Sequence, residues 1–183
     1  LPDSVTKIEN TSFYNATALK NIDFGNGLEE IGTDAFNKCA ALTEIDLPDS
    51  FLTFGLDTFA NCTGLQGITI PENVTVINTG VFKNCTGIKY VNLPDGLIRI
   101  NEYAFENCLF EEIDIPDTVT TIVGRAYLNC TKLFKLGYPK SWVSVPRYSS
   151  SYAPESPFVG CTNLAYVTVP EGVTQIPANA FKN

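Results

Sequence analysis

Residues 71–93 read Pro71-Glu-Asn-Val-Thr-Val-Ile-Asn-Thr-Gly-Val-Phe-Lys-Asn-Cys-Thr-Gly-Ile-Lys-Tyr-Val-Asn-Leu93, and this pattern returns along the whole chain. Its proline recurs at Pro2, Pro48, Pro94, Pro116, Pro139 and Pro170, with Gly25 in the vacant slot. An aromatic stands eleven residues later at Phe13, Phe36, Phe59, Phe82, Phe105 and Tyr127, and Phe158 and Phe181 continue that column. Three positions on come Cys39, Cys62, Cys85, Cys108, Cys130 and Cys161, preceded by Ala16 in the first turn. The cysteines lie 23, 23, 23, 22 and 31 residues apart. A fixed period in the twenties is the mark of a solenoid, in which one short unit stacks on copies of itself.

Each turn holds two strand-like stretches. The first, such as Leu42-Thr-Glu-Ile45-Asp-Leu47 or Leu65-Gln-Gly-Ile68-Thr-Ile70, ends in an apolar–polar–apolar alternation, as a strand with one buried face does. The following proline, with no N–H to donate, closes the ladder. The second stretch comes within a few residues, as in Val74-Thr-Val-Ile77 and Leu97-Ile-Arg-Ile100. Gly32, Gly55, Asn78 and Asn101 come directly after it, which predicts a tight corner at positive φ. From that corner to the cysteine, the chain suits one helical or 3-10 turn. Stacked turns pair their strands in parallel at about 4.8 Å. Each inward apolar group is worth roughly 1.5–3 kcal/mol before conformational entropy is set against it. The fold class is thus a β-rich solenoid of about seven complete turns, with two short parallel strands in each.

In consensus the turn reads L-P-x-x-V-T-x-I-x-x-x-A-F-x-N-C-T-x-L-x-x-I-x-I. This resembles the BspA-like leucine-rich repeat, also called the Treponema pallidum type, over the entire chain. The resemblance implies a curved leucine-rich repeat solenoid, with the Leu-x-x-Ile-x-Ile strands in a parallel concave sheet and short convex strands opposite. It also implies kinship with large extracellular proteins of gut and oral bacteria and of some mucosal protozoa, several of them adhesins. The family has no shared catalytic residues, so the resemblance transfers no site.

The chain is acidic, with a formal net charge of -8 and a pI near 4.5, which argues against nucleic acid as a partner. No apolar run approaches the roughly 20 residues of a membrane span. The chain opens on Leu-Pro-Asp and closes on Ala180-Phe181-Lys182-Asn183, both inside a repeat, as in an excised portion of a larger protein. A single solenoid over residues 1–183, truncated at both ends, is the expected organisation.

The six cysteines share one column, so they are expected to be buried free thiols. Parallel Cβ vectors disfavour the disulfide dihedral, and Ala16 indicates a small apolar slot. With no histidine and no C-x-x-C pair, neither a metal nor a cofactor is expected. Asn61, Asn84 and Asn129, together with Asn10, Asn15 and Asn73, match the N-glycosylation pattern. Because the motif recurs with the period, it reads instead as corner chemistry. Asp23, Asp46 and Asp114, with Glu111 and Glu112, mark outward positions of the concave strand and read as a solvated face.

Two features break the period. Tyr90, Phe134 and Tyr166 place aromatics at outward concave positions, with Glu111 and Glu112 nearby. The turn that opens at Pro139 carries eight extra residues, placing a Ser-, Pro- and Tyr-rich loop at about 146–157. Arg147, Tyr148 and Tyr152 lie in it, and Trp142 precedes it in a slot usually held by Val. These residues are the candidate contacts of a non-enzymatic interaction module on a secreted or cell-surface protein, with an extracellular protein or glycan as partner. A spacer domain is the alternative. A carbohydrate-active β-helix enzyme fits less well, because the repeat register weighs against it.

Overall fold

The computed structural model describes residues 1–146 and 155–182. The chain coils into a parallel solenoid, and each turn is named below by its cysteine. Six two-residue strands form its convex side: β1 Lys7–Ile8, β2 Glu30–Ile31, β3 Thr53–Phe54, β5 Val76–Ile77, β7 Arg99–Ile100 and β9 Thr121–Ile122. Five three-residue strands form the concave side: β4 Gly67–Thr69, β6 Tyr90–Asn92, β8 Glu112–Asp114, β10 Lys135–Gly137 and β11 Tyr166–Thr168. All pairings are parallel and join each turn to the next, as in Ile77 beside Ile100 beside Ile122.

The proline column does more than stop a strand. From Pro2 to Pro139 its carbonyl accepts the N–H of the residue three on, as Val5 N–H to Pro2, Phe51 to Pro48 and Val74 to Pro71, so these prolines open a β-turn toward the convex side.

The aromatic column is a continuous inner spine. Rings stack from Phe13 through Phe36, Phe59, Phe82, Phe105, Tyr127 and Phe158 to Phe181, with centroids 4.8–6.0 Å apart and near-parallel planes. Beside it runs the cysteine column, all six thiols buried and free. Each thiol donates to the carbonyl of a spine residue one turn back, as in Cys85 Sγ to Phe59 O and Cys108 Sγ to Phe82 O, both 3.1 Å. Burial pushes the five thiols from Cys39 to Cys130 up, Cys85 to about 12, so they keep their protons and act as small core groups, whereas a hydrogen bond with Cys130 lowers Cys161.

No helical or 3-10 segment occurs among the described residues, contrary to the sequence expectation. Hydrogen bonding between corner and cysteine alternates instead. Ser12, Tyr14 and Ala16 donate to the carbonyl three residues back, while Thr11, Phe13 and Asn15 donate to Thr33, Ala35 and Asn37 of the next turn. Half the amides therefore close the turn and half fasten it to its neighbour, which a helix could not do.

Positive φ is not found at Gly32, Gly55, Asn78 and Asn101. It falls two residues later, at Asp34 (55°), Asp57 (50°), Gly80 (68°) and Tyr103 (58°), and again four residues beyond, at Lys38, Asn61, Asn84 and Asn107. Gly55 is small for another reason: a Cβ there would lie 2.3 Å from Thr33 N. Asn fills most of the second positive-φ column because it tolerates that conformation. Its amides also form a ladder, Asn61 Nδ2 donating to Asn37 Oδ1, Asn84 to Asn61 and Asn107 to Asn84, at 2.6–2.9 Å. Repeat chemistry accounts for these asparagines.

Candidate functional site

The outward concave positions of adjacent turns lie side by side because the strands pair in register. Lys135 faces Glu112 on one side and Tyr166 on the other. Lys135 Nζ reaches Glu112 Oε2 at 2.9 Å, so the Glu112 charge is already paired. Phe134 and Tyr166 meet at 4.9 Å between ring centroids, tilted edge to face, yet remain 45% and 58% exposed. Glu111, Lys132, Phe134, Asn163 and Ala165 border an open hollow of about 570 Å³ beside this pair.

Tyr90, expected in the same cluster, stands apart. Its neighbour in the concave sheet is Gly67 of the Cys62 turn, and Glu112 and Lys135 lie between it and Tyr166 in the outward column. The structure thus brings Phe134 and Tyr166 together, sets Glu111 at the rim of their hollow, and leaves Tyr90 as a separate feature.

Trp142 is corrected outright. It is buried, its ring packed against Tyr138, Phe158 and Phe181, with Nε1 donating to Ser144 O at 2.8 Å. It fills the inward column of Val74, Leu97 and Val119, so the slot it occupies signalled core. Arg147, Tyr148 and Tyr152 lie outside the described residues.

The flanks of the long turn close firmly. Arg125 N donates to Ser156 O at 2.9 Å and Tyr127 N to Pro157 O at 2.8 Å. The Arg125 guanidinium takes both carboxylate oxygens of Glu155, Nη2 to Oε1 at 2.8 Å, and donates to the Tyr103 hydroxyl. That pairing raises Arg125 and holds Glu155 below the usual carboxylate range. These groups lie past the convex stretch, on another side of the turn from Phe134 and Tyr166.

Part of the acidity is structural. Asp3 Oδ1 accepts from the backbone and side chain of Asn26, Asp23 Oδ1 from Gly25 N, and Asp117 Oδ1 from Lys140 N. No group of three or more metal-ligating side chains occurs among the described residues.

A parallel stack of turns this short, with a spine ring and a conserved offset to the concave strand, defines a leucine-rich repeat solenoid. The chain belongs to the BspA type leucine rich repeat region family, which matches residues 1–109 and 58–183 with six copies of the repeat. Its fold is similar to that of a leucine rich repeat protein of T. pallidum, at 22% identity and a TM-score of 0.58 over 95% of this chain and 64% of that one. It is also similar to the pneumococcal vaccine antigen PcpA, at 19% identity and a TM-score of 0.53 over 97% of this chain and 50% of that one. A leucine-rich repeat protein from Eubacterium ventriosum shares 26% identity, with a TM-score of 0.50 over 68% of this chain and 43% of that one. The chain therefore spans about two-thirds or less of these relatives. No curated protein matches the sequence. No helix among the described residues is long and apolar enough to cross a membrane.

Proposed function

We propose that this chain is a non-enzymatic protein-interaction segment of a larger secreted or cell-surface protein, with Phe134 and Tyr166 at the centre of its contact surface. The observation that carries this reading is two large aromatic rings in mutual contact and about half exposed on the concave face. Burying such rings is costly to forgo, and aromatic anchors dominate the energetics of protein interfaces. Glu111 and Lys132 at the rim supply charge for orientation. The family assignment supports a binding role, and a surface location accords with it.

The test is an array of extracellular matrix proteins and glycans probed with the chain and with Phe134→Ala/Tyr166→Ala. Loss of a hot-spot pair corresponds to at least about 2 kcal/mol, roughly thirty-fold in affinity. A protein ligand weakened to that extent, with an unchanged circular dichroism spectrum, supports the assignment. A ligand bound equally by both forms overturns it. A second reading, a rigid spacer, draws on the unbroken ring and thiol columns, and it expects no ligand anywhere on the array.

A further inference from the structure

Tyr90 is held in place by what its neighbour lacks. Along the outward column Asn21, Glu44, Gly67, Tyr90, Glu112, Lys135, Tyr166, only Gly67 has no side chain, and the β4–β6 register sets it opposite Tyr90. A Cβ on Gly67 would lie 2.2 Å from Tyr90 Cε1 and 2.3 Å from Cζ. The ring therefore lies across the bare Gly67 backbone, fixed by the packing on that side and still 54% exposed on the other.

Two hollows adjoin the ring. One, of about 380 Å³, is bordered by Thr43, Glu44, Asp46, Gln66 and Thr69. The other, of about 270 Å³, is bordered by Asn92, Glu112 and Asp114. Four carboxylates thus face three nearby cations: Lys135, which is taken by Glu112, Lys89, the residue before Tyr90, and Lys20, beside Thr43 in the preceding turn. The balance is one negative charge, with Glu44 and Asp46 unpaired among the described residues. The fold elsewhere sets a lysine over a tyrosine ring: Lys38 over Tyr14 at 5.1 Å and Lys83 over Tyr103 at 5.0 Å. Among the described residues no cation covers Tyr90.

We propose that Tyr90, seated on Gly67 between the two carboxylate-bordered hollows, docks a lysine or arginine side chain from a basic segment of a partner protein. The ring face attracts the cation, and Asp46 and Asp114 on its two sides receive its charged neighbours. The inference rests on the protein-binding reading above and adds the chemistry of the partner. Charge decides against a neutral glycan as the favoured occupant: a sugar would gain from the ring but nothing from the negative balance.

Hexa-arginine is the probe, with a glycine–serine hexapeptide as its neutral control and cellohexaose as the glycan. Each is titrated into the full chain and followed by calorimetry and backbone amide shifts. The expected result is shifts at Gly67, Tyr90 and Asp114, and an affinity that falls steeply between about 0.02 M and about 0.3 M salt. Tyr90→Leu, which keeps Gly67 covered, and Asp46→Asn/Asp114→Asn should each weaken hexa-arginine by about ten-fold. Glu29→Gln/Asp49→Asn, the same charge change away from the concave face, should stay within about two-fold, since exposed remote charges are screened. Equal weakening by that control pair overturns the proposal in favour of diffuse attraction. So does the absence of shifts at Tyr90, or a response there to cellohexaose and not to the peptide. Phe134→Ala/Tyr166→Ala is compared with Tyr90→Leu on the extracellular array. If that variant loses an array ligand that Tyr90→Leu retains, the basic-segment proposal fails while the interaction surface stands. The opposite pattern removes Phe134 and Tyr166 from the surface and keeps Tyr90.

Discussion

Two turns depart from the 23-residue period, and they respond in opposite ways. The Cys108 turn is one residue short, because Leu109 alone stands where Thr86-Gly87 stands in the preceding turn. The Cys161 turn is eight residues long in excess. The single loss coincides with a break in the concave sheet: β4–β6 and β8–β10–β11 are separate, with no ladder from β6 to β8. The gain of eight residues breaks nothing there, since β10 and β11 pair through three residues and Tyr127 stacks on Phe158 at 5.1 Å. Position therefore outweighs size. In regular turns the residue three beyond the cysteine donates back to it, as Leu65 to Cys62, Ile88 to Cys85 and Leu133 to Cys130. Loss of one residue removes that turn immediately before β8. The eight extra residues instead enter a corner whose two sides, Pro146 and Glu155, stand level with Val123 and Gly124 of the preceding turn, as the Thr121–Ser144 bridge and the Arg125 N–H to Ser156 bond require.

The largest effect should come from striking what both turns retain. Phe82→Ala removes a fully buried ring stacked between Phe59 and Phe105 and is expected to cost roughly 3–5 kcal/mol. Urea unfolding reads it directly, and an unchanged midpoint would remove the spine from the account of stability.

Restoring the period is the next test. One glycine inserted between Leu109 and Phe110 should let β8 pair with β6, adding two or three hydrogen bonds worth about 0.5–1.5 kcal/mol each. Amide exchange at Ile113 and Asp114 should slow as the two concave sheets fuse. Exchange that stays as fast would place the cause of the break elsewhere, in the bulk of Phe110 within the column of Leu65 and Ile88.

Tyr127 lies between the two irregular turns and is the one spine position to carry a hydroxyl until the column ends at Phe181. That oxygen is buried with no hydrogen-bond partner among the described residues, against Cys108, Cys130 and Cys161, and burial pushes the phenol up. Tyr127→Phe should therefore stabilise the chain by about 1–3 kcal/mol, the desolvation cost of an unsatisfied group. A lowered melting temperature would mean that the hydroxyl has a partner in solution, such as an internal water.

Much of this was legible because stacking forces identity: Phe82, Cys85 and Pro71 repeat since each copy touches the next. Positions read singly were less so. Gly32 and Gly55 looked like positive-φ corners but are small because the preceding turn's backbone lies against them. Tyr103 and Arg125 occupy positive φ that neither residue type advertises. Of the candidate contacts, Trp142 looked exceptional, yet its column already assigned it to the core. The Phe134–Tyr166 contact required cross-strand register, and the Gly67–Tyr90 seat required seeing a missing side chain as a feature.

The smallest expected effect belongs to the corner that absorbs the eight residues. If Pro146 and Glu155 already sit where consecutive residues would, deleting 147–154 should change stability by less than about 1 kcal/mol, since loop-closure entropy varies slowly with length. The Arg125–Glu155 pair should survive the deletion. Its side chains are 28% and 32% exposed, so it is worth at most about 1 kcal/mol. Because Arg125 depresses the Glu155 carboxyl, the contribution is present above the ordinary carboxylate range and disappears as the pH falls through the depressed value. The difference in melting temperature between the chain and Glu155→Gln should accordingly be small at pH 7 and shrink below about pH 4. The same pH-dependent difference in the deletion background would show that the corner is closed by its flanks. A difference that disappears on deletion would show that the insert itself holds Glu155 against Arg125.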